Sequence, residues 1–164
     1  MSKDLREQLV RDFIGALRAA QTAVDLVDEA VAEYLGIHRT DARCLDILDQ
    51  EGPMTAGRLA ERAHITPGAM TTLLDRLERK GYARRWRDTE DRRRVLVEVT
   101  PELRQRAYAL YGSVEDAVAH LASYSDDELR FLIEFHRESA EYQQHLIRRL
   151  EELRAGQPGE AAGA

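Results

Sequence analysis

Aromatic residues are scarce in this chain, 6% of 164 residues with a single tryptophan, Trp86, and that deficit argues against a β-sandwich. Cysteine is rarer still. Cys44 stands alone, which excludes an internal disulfide and a cysteine-based zinc cage. The five histidines, His38, His64, His120, His136 and His145, include no pair four apart, so no metal is expected. No apolar run approaches the ~20 residues that cross a bilayer. The N-terminal MSKDLREQLVRDF has no apolar core of a secretory signal, and the expected location is the cytoplasm. Also missing are a glycine-rich phosphate loop, a nucleophile elbow and an HExxH helix, so neither an enzyme nor a cofactor is expected.

What is plentiful is charge, 33% of residues, with a net balance of −6. Taken whole, that sign counts against a nucleic-acid partner, but the distribution is uneven. Residues 55–100 carry +4 and the rest −10, and Arg76–Arg94 holds nine basic residues against four acidic ones. A basic middle on an acidic chain reads as a local electrostatic footprint. By itself it leaves a solvated face of mixed charge equally open.

Helical spacing runs from Asp4 to Leu35 through Leu5, Leu9, Phe13, Leu17, Ala20, Val24, Val27, Val31 and Tyr34, which predicts one long amphipathic helix ended by Gly36. A second helix follows with Thr40 as its expected cap, Ala42, Leu45, Ile47 and Leu48 on its apolar side, and Gly52–Pro53 as its end. Thr55 caps a short third helix. After the turn His64–Ile65–Thr66, the Thr66–Pro67 pair starts a fourth helix that stops at Gly81. Tyr82–Arg87 and Arg94–Thr100 flank a polar turn as a β-hairpin. Thr100–Pro101 opens a fifth helix, read as continuous through Leu103, Leu110, Val114, Val118 and Leu121. Ser125–Glu128 forms a capping box before a last long helix. The tail beyond Arg154 is read as disordered. Helices of roughly thirty residues span about 45 Å, more than a chain this size covers by itself, so a second copy is the expected partner, with an intramolecular hairpin as the alternative.

The helix–turn–helix Thr55–Gly81 is the candidate functional element. Turning 100° per residue puts Met70, Leu73, Leu74 and Leu77 in one wedge and leaves Gly68, Ala69, Thr71 and Thr72 on an exposed, small and hydroxylic face. Such a face approaches base edges closely, with Arg76 long enough for guanine or phosphate. Thr66 and the open N–H groups of the helix start suit a backbone phosphate. In the hairpin, Arg84, Arg85 and Arg87 precede the loop and Arg92, Arg93 and Arg94 close it. An arginine at a ribbon tip fits a narrow minor groove, and Asp91, which DNA repels, is expected to orient a neighbouring arginine.

Residues 66–100, TPGAMTTLLDRLERKGYARRWRDTEDRRRVLVEVT, resemble the recognition helix and wing of the MarR family of winged helix–turn–helix regulators. The resemblance rests on LLDRLERKGY, on the wing residues Glu90, Asp91 and Arg93, on the closing hydrophobic-x-hydrophobic-Thr, and on the preceding LAERAHITPG. It implies a mostly α fold with a small β-hairpin wing and long dimerisation helices at both ends. The implied division is residues 1–36 for dimerisation, 37–100 for a DNA-binding lobe, 101–154 for dimerisation again, and a disordered 155–164. It further implies a homodimer acting as a ligand-responsive repressor on a pseudo-palindromic double-stranded operator. By matching position, Thr66–Thr72 and Arg76 would lie in the major groove and Arg93, steadied by Asp91, at the minor groove, with Arg92 counted among the DNA-binding residues. A small aromatic or phenolic effector would sit between the dimer helices and the DNA lobe, where Tyr34, His38, Arg39 and Tyr111 are the candidates. Those four also read as packing and capping residues. Cys44, on the apolar side of the second helix, reads as a small core residue. The competing function is a winged-helix interaction module that no longer binds DNA.

Overall fold

Three threonines start three helices in the same way. Thr55, Thr66 and Thr100 each lie in extended backbone and accept the N–H of the residue three further on, Arg58, Ala69 and Leu103, at 3.3 Å. For Thr66 and Thr100 a proline follows at the first helical position, where a missing N–H loses no bond. The computed structural model describes residues 3–155. Its order is α1 (Lys3–Leu35), α2 (Arg39–Glu51), β1 (Met54–Thr55), α3 (Ala56–Ala63), α4 (Pro67–Arg79), β2 (Ala83–Arg87), β3 (Val95–Val99), α5 (Pro101–Tyr111), α6 (Val114–His120) and α7 (Asp126–Ala155).

The chain divides into two units, the first running through Gly112 and the second starting at Ser113. In the first, the fully buried Leu48, Leu59, Met70, Leu74, Leu77 and Val97 form the centre of the core. All three strands are antiparallel in the order β1-β3-β2, with Met54 opposite Val97, and Arg85 opposite Val97 on the other side. The tip end of the hairpin pairs Arg87 with Val95.

Gly36 ends α1 with φ +63, its N–H on the carbonyl of Glu33 and that of Ile37 on Ala32. This double bond satisfies the last carbonyls of the helix and turns the chain sharply into α2. Of the 33 residues of α1 only Ala32 and Leu35 are buried, while Leu5, Leu9, Phe13, Val24 and Val27 are exposed. In the second unit, the capping box forms as expected: Ser125 Oγ accepts the N–H of Glu128, and the Glu128 carboxylate accepts the N–H of Ser125. No residue of α7 is fully buried, and Phe131, Ile133, Tyr142, Leu150 and Leu153 are exposed along it.

Three details differ from the sequence expectation. Helix α2 begins two residues earlier than a Thr40 cap allows. His38 occupies the cap position, and its N–H is taken by the Asp41 carboxylate at 3.1 Å. The expected fifth helix is two: Gly112, at φ +94, breaks it, and Ser113 starts α6 by accepting the N–H of Asp116. The apolar spacing from Leu110 to Val114 and Val118 continues across this break, so periodicity alone hid it. Strand β1 is the third. Two residues carry no alternation to read. The tail expected to be disordered lies outside the described residues apart from Ala155, the last residue of α7. Among the described residues no helix is long and apolar enough to cross a membrane.

Candidate nucleic-acid interface

Between α3 and α4 the chain turns at His64, which adopts a left-handed φ of +53 while Ile65 donates its N–H back to Ala60. Left-handed backbone is uncommon outside glycine, and here it closes α3 within a single residue. Helix α4 then buries Met70, Leu73, Leu74 and Leu77, the wedge expected from the 100° rotation. The opposite side is bare. Gly68, Ala69, Thr71 and Thr72 are all exposed, and a Cβ placed on Gly68 would meet no atom within 4 Å. Packing within the protein therefore does not require glycine there.

The hydroxyls on this face are oriented by the helix itself. Thr71 donates to the carbonyl of Pro67 at 3.1 Å and Thr72 to that of Gly68 at 3.4 Å. With the proton committed, each oxygen is left as an acceptor, suited to the exocyclic amino group of adenine or cytosine, and each methyl to a thymine methyl. Thr66 Oγ1 accepts from Ala69 and keeps its own proton to donate, while the N–H of Gly68 has no acceptor in the described residues. These are the groups a phosphate oxygen would meet at the helix start.

The hairpin is braced at its base and free at its tip. Arg85 ties β2 to α4: its guanidinium holds Asp75 at 2.8 Å and also Glu78, whose other oxygen accepts the Arg85 N–H at 2.9 Å. Arg84 pairs with Glu98 across the strands. In the loop, Asp88 accepts the N–H of Glu90 and lies 3.6 Å from Arg94. Asp91 receives both the backbone N–H and the guanidinium of Arg93 at 3.1 Å, the arrangement expected of an acid that orients its neighbour. These bonds hold the Asp91 carboxyl below its ordinary range. Arg93 nevertheless has 92% of its side chain exposed. Arg87 and Arg92 are exposed and have no ion pair in the described residues.

Arg76 is held elsewhere. Its guanidinium makes a two-point bridge to Asp41 of α2, and that hydrogen bond raises its already high pKa. Sequence reasoning treated the arginines of 76–94 as one basic patch and missed Asp41, Asp75, Glu78 and Arg85 as the residues that fix the helix and wing. The acids of α4 were the available signal, since Asp75 and Glu78 lie three apart on one side of a helix followed by three arginines.

The effector candidates separate. Tyr111 lines an apolar cavity of about 290 Å³ and donates its hydroxyl to Asp28 at 3.0 Å. Burial and that bond push its phenol up to about 12. Arg39 borders a neighbouring cavity of about 450 Å³ and is paired with Asp25. Tyr34 is 76% exposed and, like His38 at the α2 cap, lines neither cavity. Cys44 is fully buried, and burial pushes its thiol up to about 11.

A helix–turn–helix with a small-faced second helix, followed by a braced hairpin with arginines at its tip, defines a winged helix–turn–helix DNA-binding regulator. The MarR family pattern matches residues 37–95. Over 152 residues the chain is 30% identical to the HTH-type transcriptional regulator YcgE of Bacillus subtilis, covering 92% of this chain and 99% of that one. A 71-residue stretch is 38% identical to the HTH-type transcriptional repressor YetL of the same organism, 43% of this chain and 42% of that protein. Among solved structures, a point variant of MepR from S. aureus bound to an oligodeoxyribonucleotide shares the fold with a TM-score of 0.51 at 21% identity, over 86% of this chain and 97% of that one. The chain belongs to the MarR family. It is an HTH-type transcriptional regulator.

Proposed function

We propose that two copies of this chain bind a pseudo-palindromic operator and act as a ligand-responsive repressor. The observation that carries this reading is the pairing, within one unit, of a bare α4 face with a hairpin that Arg85 fastens to the same helix. In this reading Gly68, Ala69, Thr71 and Thr72 approach base edges in the major groove, and Thr66 with the Gly68 N–H holds a phosphate. Arg92 and Arg93 reach the minor groove, with Asp91 fixing the direction of Arg93. Arg76 contributes by holding α4 in place through Asp41.

The dimer follows from the end helices. MarR proteins are dimers, and α1 and α7 each present a long apolar stripe that their own unit leaves uncovered. Residues 1–36 and 101–154 would supply that interface and residues 37–100 the DNA-binding lobe. The repressor reading is supported by the name of YetL, and the DNA partner by the oligonucleotide on the MepR variant. A small ligand would enter beside Tyr111, and its effect on DNA affinity would be reciprocal. A cytoplasmic location goes with this role.

Selection of duplexes from a random pool, followed by light scattering of the complex, tests the proposal. Enrichment of inverted half-sites about one helical turn apart, with two chains on each duplex, is the expected result. Failure to enrich any sequence would favour the interaction module, and a monomeric mass at micromolar concentration would remove the dimer.

A further inference from the structure

Every charged side chain of α4 lies in its second half, and each is already engaged within the protein. Arg76 is bridged to Asp41, and Asp75 and Glu78 hold Arg85. Arg79 donates its Nε–H to the carbonyl of Asp75 at 3.2 Å. Lys80, directly after the helix, donates to the carbonyl of Leu35. The first half, Pro67–Leu73, carries no charged group and no side-chain amide.

The four base pairs do not meet such a surface equally. In the major groove guanine shows only acceptors, N7 and O6, which arginine or lysine reads, and adenine is read in two-point fashion by asparagine or glutamine. Neither kind of side chain is present on the exposed face of this first half. What it offers instead are the γ-methyls of Thr71 and Thr72 and their hydroxyl oxygens, whose protons are committed to the carbonyls of Pro67 and Gly68. Only thymine places a methyl group in that groove, and its adenine partner places an amino donor beside it. A G·C pair has a donor at cytosine N4 but no methyl, and the two guanine acceptors would be buried without a donor. Charge for the phosphates and the minor groove is left to the wing, where the Arg93 side chain is 92% exposed.

We propose that Thr71 and Thr72 are the specificity-determining residues of the recognition helix, and that they select thymine through its C5-methyl group. The half-site core is then A·T, with guanine excluded from the base pairs that α4 covers. This rests on the reading of the chain as an operator-binding dimer with α4 in the major groove, and names the base that helix reads.

Fluorescence anisotropy of the full chain on a duplex recovered from a random pool tests the proposal. The base pairs fixed by the selection are expected to be A·T. Replacing a fixed thymine by deoxyuridine removes only the C5-methyl group. The loss should be about fourfold for each methyl and about fifteenfold when the change is made in both half-sites. Thymines outside the fixed positions should show no loss. The double variant Thr71→Ser, Thr72→Ser keeps both hydroxyls, alters only exposed methyls, and should bind the thymine and deoxyuridine duplexes equally. A G·C core, an unchanged affinity on deoxyuridine, an equal loss at every thymine, or a deoxyuridine loss that persists in the serine variant would each overturn it. In all four cases a selected duplex is still bound, so the operator-binding regulator stands and only the thymine reading falls. Enrichment of no sequence, or no DNA binding at all, would overturn both.

Discussion

Arg76 of α4 and Asp41 of α2, thirty-five residues apart in the chain, meet in a two-point bridge, with Nε 2.9 Å from Oδ2. Asp41 is completely buried, and it also accepts the N–H of His38. One carboxylate thus caps α2 and anchors the recognition helix. Just past this same C-terminal end of α4, Lys80 and Tyr82 both donate to the carbonyl of Leu35, so the helix is also fastened to the end of α1.

Removing one partner of a buried pair leaves the other charge without a counterion. Arg76→Ala should therefore destabilise the protein by about 3 kcal/mol in urea unfolding. The double variant Asp41→Leu, Arg76→Met should recover most of that loss. If Arg76 served only to touch DNA, the single variant would unfold at the wild-type urea concentration.

Gly68 separates folding from binding. Its helical backbone and empty surroundings accept a methyl group, and Gly68→Ala should raise stability by roughly 0.5 kcal/mol through the greater helix propensity of alanine. Operator affinity should fall at the same time, because the added Cβ stands between helix and base edges. A variant that is more stable and binds DNA as well as the wild type would contradict a close approach at this residue.

Partial burial, helped by the charges of Asp28 and Asp49, raises the Asp46 carboxyl and so makes a pH prediction. A folded-state value above the unfolded one means that the folded protein binds more protons in the window between them, so stability falls as pH rises through it. Asp46→Asn removes this loss. Its thermal midpoint should exceed that of the wild type at pH 7, and the difference should close below about pH 4, near the ordinary aspartate value. A less stable variant at pH 7 would show that the carboxylate supports the fold.

Cys44 should be silent towards thiol reagents. With its thiol at about 11 and its side chain fully buried, the native protein at pH 8 holds roughly a hundredfold less thiolate than an ordinary cysteine. An aromatic disulfide reagent should react with the unfolded chain within seconds and with the native protein at least a hundredfold more slowly. Comparable rates would place the sulfur in an accessible, activated setting and open an oxidant-sensing role.

Local signals carried much of this fold. The wedge Met70, Leu73, Leu74 and Leu77 follows from helical rotation, and the threonine caps of α3, α4 and α5 follow from backbone chemistry within three residues. The Asp91–Arg93 pair was legible because the two residues are neighbours in a loop. Long-range partners were not. Nothing near Asp41 marks it as the anchor of Arg76, and nothing near Arg85 says which acids of α4 it will find. The cavity beside Tyr111 was equally hidden, since α1, α2 and α5 each contribute only part of its wall.

The most direct measurement is the salt dependence of binding to a duplex recovered from the random pool, read by fluorescence anisotropy. A dimer that neutralises about eight to ten phosphates should show log K falling against log[salt] with a slope of about −7 to −9. Arg93→Ala should flatten that slope by about two, one contact from each protomer. A wild-type slope near zero would contradict the account.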